Sequence, residues 1–81
     1  MNTKITVRPI STIACEIAAD WKKVNFAAKP YLDAMFCLNT VNDMYYFDSA
    51  KSIILYFLCN AGTWKGEVAK RIKAELKAMC K

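Results

Sequence analysis

Residues 48–63 read DSAKSIILYFLCNAGT, and the fold turns on whether they form a helix or a strand. Seven apolar residues run unbroken from Ile53 to Cys59, beginning with the β-branched pair Ile53 and Ile54. Periodicity alone cannot separate a buried strand from a buried helix in such a run. The flanks decide. Asp48 and Ser49 carry side-chain oxygens able to accept from the unpaired N–H groups of a first turn, and Ala50 and Lys51 suit a helix. Ala61-Gly62 offers a stop, with Gly62 placed for the left-handed conformation. The stretch predicts a helix over about 49–60. Ile53, Ile54, Leu55, Phe57, Leu58 and Cys59 cover most of its surface.

Toward the C-terminus, Thr63 is a candidate cap for a helix over about 64–80. Trp64, Val68, Ile72, Leu76 and Met79 recur at offsets that form one apolar stripe, widened by Ala69. On another side, Lys70, Lys73, Lys77 and Lys81 fall within an arc of about 80° at the α-helical pitch. Arg71 lies away from that arc. Toward the N-terminus, Pro30 suits the first turn of a helix over about 30–40, where its missing N–H costs nothing. Residues 41–47 (VNDMYYF) stay open: Asn42-Asp43 suggests a turn, yet the preceding helix also has the option of running on to Tyr46. Ser11 or Thr12 is a candidate cap for a first helix over about 12–25, with Ile10, Ile13, Ile17, Trp21 and Val24 as its stripe. Residues 1–10 read as an arm. Alternation of Ile5 and Val7 with Thr6 and Arg8 allows a short strand there. The sequence thus predicts an all-α fold of about four helices: an arm over 1–10 and a single helical domain over 11–81. Its expected core is Ile13, Ile17, Trp21, Leu32, Phe36, Ile54, Phe57, Leu58, Ile72 and Leu76.

Composition narrows function by exclusion. The 81 residues include no His, which removes the commonest general base and the commonest metal ligand. No P-loop, GxGxxG or GxSxG is present, and the four Asp do not pair at a catalytic spacing. Cys15, Cys37, Cys59 and Cys80 stand 21 or 22 residues apart without a CxxC, so neither a zinc site nor a Cys–His nucleophile is expected. They read as reduced thiols packed as small hydrophobes in a cytoplasmic protein, since no secretory signal is visible and no apolar run is long enough to span a bilayer. Gly62 and Gly66 frame a helix start that has the makings of an anion site, but a structural turn explains them as well. Neither an enzymatic activity nor a cofactor or metal is predicted.

Charge and aromatic residues point instead to binding. Residues 1–48 carry five basic and five acidic side chains; residues 49–81 carry seven and two, so the whole net charge of +5 lies in the last 33 residues of the chain. The expected partner-binding residues are Tyr45, Tyr46 and Phe47, together with Lys70, Arg71, Lys73, Lys77 and Lys81. Tyr31 and Trp64 are further aromatic candidates, because Tyr and Trp bury large area at low entropic cost. In the competing reading Tyr45 and Phe47 close the core and Tyr46 caps its edge. Lysines on one helical face also suit phosphate contacts, although no base-reading Asn, Gln or Arg set accompanies them. The amount of apolar surface leaves room for a homodimer.

Two stretches carry a resemblance: Asp20–Lys23 through Pro30–Met35, and Asp48–Ile53 through Thr63–Glu67 to Arg71–Leu76. Together they are similar to small uncharacterised proteins of bacterial phages and mobile elements, over most of residues 16–79. The resemblance implies an accessory protein of the host bacterial cytoplasm that binds a host macromolecule. Its partner would be a host defence protein such as a CRISPR effector, blocked sterically in the manner of anti-CRISPR proteins. It assigns no catalytic residue. A basic chain also does not suit the acidic DNA mimicry of many such inhibitors.

Overall fold

A computed structural model describes residues 8–80. It contains four helices, α1 (Ile10–Asp20), α2 (Lys29–Met35), α3 (Ala50–Cys59) and α4 (Glu67–Met79), and a two-stranded ribbon, β1 (Met44–Tyr45) and β2 (Asp48–Ser49), between α2 and α3. The fold is therefore mostly helical but not purely α. The possible strand at residues 5–7 and the lysine at position 81 lie outside the described residues.

The decisive stretch is a helix. The Ser49 hydroxyl accepts from the Ser52 N–H at 3.1 Å, which ties the first turn, and Ala50, Ile53, Ile54 and Phe57 face inward. Its end differs from expectation. Among the described residues the glycine with positive φ is Gly66, at φ 112°, not Gly62. Side-chain amides close α3 instead: Asn60 Nδ2 donates to the Tyr56 carbonyl at 2.8 Å, and Asn25 Nδ2 to the Asn60 carbonyl at 3.3 Å. With last-turn carbonyls so occupied, no left-handed residue is needed there.

The other boundaries shift for local reasons. α1 begins at Ile10, two residues early. Loop carbonyls do the capping, since Ile10 N–H donates to Asn39 and Ser11 N–H to Leu38 at 2.9 and 2.8 Å. Ile10 is fully buried, so the expected arm gives up its last residues to the fold. α2 stops at Met35, because Asp43 gathers the backbone N–H groups of Asn39 and Thr40 at 2.8 and 3.1 Å and stabilises a turn against a continued helix. Phe36 is left 40% exposed and Leu58 only half-buried; both had been expected in the core. α4 starts at Glu67, after Gly66, and Thr63 does not cap it. The remaining eight expected core residues are buried.

The helices share one apolar core, with α2 packed on α3, α1 on α4 and on α2, and α3 on α4. Trp21 and Trp64 stack at 5.7 Å between ring centroids, and Phe57 meets both edge-on. The Trp64 indole N–H donates to Asp20 at 2.8 Å, so the buried ring keeps its polar group satisfied. Arg8 crosses from the start of α1 to α4. Its Nε and Nη2 fork onto Glu75 at 3.0 and 2.7 Å, and Nη1 reaches Glu16 at 2.8 Å. Arg71 completes the cluster on the other oxygen of Glu16. Arg71, then Arg8, hold the Glu16 carboxyl below its ordinary range, and the two carboxylates raise Arg8.

Candidate functional site

The sequence-predicted site residues fall into two places. The first is the ribbon. Met44 pairs with Ser49 and Tyr45 with Asp48, so Tyr46 and Phe47 alone make the turn. Two-residue hairpin turns require positive φ at one or both central positions and draw Gly, Asn or Asp for that reason. Here Tyr46 takes φ 58°. A β-carbon in that conformation costs about 1–2 kcal/mol. The turn carries aromatic side chains in return: Tyr46 is 83% and Phe47 97% exposed, with Met44 beside them at 60%. Tyr45 is half-buried against the core and meets Tyr46 edge-on at 4.8 Å. The competing reading, in which Phe47 closes the core, is thus corrected: a turn residue has no core face to occupy. Met44 was not anticipated, because residues 41–47 gave no strand alternation.

The second place is the lysine face of α4 together with the loop that precedes it. Lys70 and Lys77 are exposed on one face, as expected. Lys73 is turned inward: its Nζ donates to the Trp64 carbonyl at 2.7 Å and sits 5.9 Å from the Trp64 ring centroid. Burial, then the charges of Lys65 and Lys77, push its pKa down. Arg71 is committed to Glu16 and does not join this face. Lys81 lies outside the described residues. Lys65 was missed because, on the expected helix over 64–80, it falls about 140° from Lys70 and off the lysine arc; α4 in fact starts at Glu67, which leaves Lys65 in the loop before it. The placement of Trp64 as a surface anchor is corrected, since it is 2% exposed, and Tyr31 is half-buried beside Tyr56 at 5.4 Å.

The thiols also differ from expectation. Cys15, Cys37 and Cys59 are exposed and Cys80 alone is buried, all four unpaired. Among the described residues no group of three or more Cys, Asp or Glu is arranged to hold a metal ion, and no helix is long and apolar enough to cross a membrane.

The two places lie toward opposite ends of α4. Cys80 Sγ approaches the Lys51 carbonyl at 4.0 Å, just after the ribbon, whereas Lys65 and Lys70 stand at the helix start. Thirteen residues of α4 correspond to roughly 20 Å. No family model matches the chain, and no curated protein or solved structure shows significant similarity to it.

Proposed function

We propose that the protein acts by binding another macromolecule through the ribbon, and not by catalysis. One observation carries this reading. Tyr46 occupies a positive-φ turn position that glycine would fill without strain, and the turn holds both Tyr46 and Phe47 out in water. Strained backbone that presents large aromatic side chains is an arrangement with a stability cost and a binding use. The resemblance of residues 16–79 to phage and mobile-element proteins makes a host defence protein, such as a CRISPR effector, the partner to test first, with steric blocking as the mode of action.

Capture from lysate of a phage host, run in parallel with wild type and Phe47→Ala, tests the reading. A protein retained by wild type and lost with Phe47→Ala supports it. Equal retention by both, or no retention by either, overturns it. A second reading, a small nucleic-acid-binding protein, is favoured by the uncompensated lysines around the start of α4, a separate surface.

A further inference from the structure

Trp64, Lys65, Gly66, Ala69, Lys70 and Lys73 line an open groove of about 320 Å³. No acidic side chain contributes to it. Among the described residues the ion pairs join Arg8 to Glu16 and Glu75, Arg71 to Glu16, and Lys29 to Asp33. None engages Lys65, Lys70, Lys73 or Lys77. Lys65, Lys70 and Lys73 thus line the groove without an ion pair, and Lys77 follows about one turn beyond Lys73, in the segment that carries the whole net charge of the chain. Lys73 is placed there by its bond to the Trp64 carbonyl. An anionic occupant is what this charge distribution complements.

Geometry narrows the anion. Lys70, Lys73 and Lys77 advance along the helix by about 4.5 and 6 Å, a row of point charges in place of a single pocket. A row suits a chain of phosphates. The fork-shaped guanidinium that grips a single planar carboxylate is absent, because Arg71 is tied to Glu16. The lining has no Asn or Gln to read base edges, and the buried Trp64 ring offers no face for stacking. We propose that this groove seats the sugar–phosphate backbone of a nucleic acid through Lys65, Lys70 and Lys73, with Lys77 extending the row, without regard to base sequence. The inference rests on the second reading above and is independent of the ribbon.

Fluorescence anisotropy with labelled 20-base single-stranded DNA and its duplex tests it, over 25–200 mM salt. Three phosphate contacts predict a slope of log K against log salt near −2 to −3. The exposed-site variant Lys65→Glu/Lys70→Glu should weaken binding at least tenfold and flatten that slope. Lys22→Glu/Lys23→Glu, the same charge change on another exposed segment, should alter it less than threefold. Absence of binding at 25 mM salt overturns the groove and the second reading together. Binding that survives Lys65→Glu/Lys70→Glu but is lost with Lys22→Glu/Lys23→Glu sinks the groove and leaves the second reading standing. A polyglutamate of matched length that competes as well as DNA overturns phosphate as the occupant.

Discussion

Trp21, Phe57 and Trp64 are 7%, 0% and 2% exposed, whereas Tyr46 and Phe47 are 83% and 97% exposed, although both sets are aromatic and lie in one small chain. The difference lies in the backbone each set rides on. Trp21 follows Ile13 and Ile17 at steps of four, and Phe57 follows Ile53 and Ile54, so helical pitch turns both toward the core. Trp64 docks from the loop before α4, with its indole N–H on Asp20. Tyr46 and Phe47 occupy a two-residue turn, whose side chains have no inward face. Apolar character alone does not decide burial; the period and direction of the backbone do. Burying a Phe is worth about 1.5–3 kcal/mol, and Phe47 forgoes that gain.

The largest expected effect sets Phe57 against Phe47. Phe57→Ala should lower stability by about 3–5 kcal/mol, through lost burial plus the cavity left among Trp21 and Trp64. Phe47→Ala should change it by no more than about 0.5 kcal/mol. Urea unfolding of the two variants checks this, and similar losses would break the contrast.

Backbone strain provides a second comparison. Gly66 sits at φ 112°, ψ 179°, a region essentially reserved for glycine, with open space where a β-carbon would stand. Gly66→Ala should therefore cost about 1–3 kcal/mol by conformation alone. Tyr46→Gly should act in the opposite direction, raising stability by up to about 1 kcal/mol as positive φ becomes free of strain. The same variant should lose whatever partner the ribbon binds. A Tyr46→Gly protein that is less stable than wild type would show that the Tyr45–Tyr46 edge contact outweighs the strain.

The smallest effect concerns acid. The Glu16 carboxyl is held down by Arg71 and Arg8, and the Asp43 carboxyl by the backbone N–H groups of Asn39 and Thr40. A carboxylate with a depressed folded pKa adds stability that is present above its unfolded value, about 4. That contribution is lost as pH falls through the folded value. Melting temperature should hold between pH 7 and 5 and drop below about pH 4, and Glu16→Gln should make the drop shallower. An unchanged profile in Glu16→Gln would remove the Arg8–Glu16–Arg71 cluster from the account.

Much of this was readable from residue spacing. Ser49 as a cap, the inward stripe through Ile13, Ile17 and Trp21, and Ile72 with Leu76 on α4 all follow from helical period and capping chemistry. Competition for backbone groups over long sequence distances was not readable. α2 ends early because Asp43 draws the N–H groups of Asn39 and Thr40, and α1 begins early because the carbonyls at Leu38 and Asn39 receive its first N–H groups. The ribbon escaped notice because its turn lacks the Gly, Asn or Asp that marks such turns in a sequence. In the lysine region, Lys70 and Lys77 were correctly placed on one face. The inward turn of Lys73 and the commitment of Arg71 to Glu16 depend on Trp64 and α1, which no helical wheel of α4 contains.

The single shielded thiol has a practical consequence. Cys80 lies under the Lys51 carbonyl, and its burial pushes the thiol pKa up, while Cys15, Cys37 and Cys59 face water. An alkylating reagent should tag three sulfurs promptly and the fourth at the tempo with which the seam between the end of α4 and the start of α3 parts. With no residue engineered into it, the chain carries a stopwatch for its own breathing, read as a mass increment arriving late.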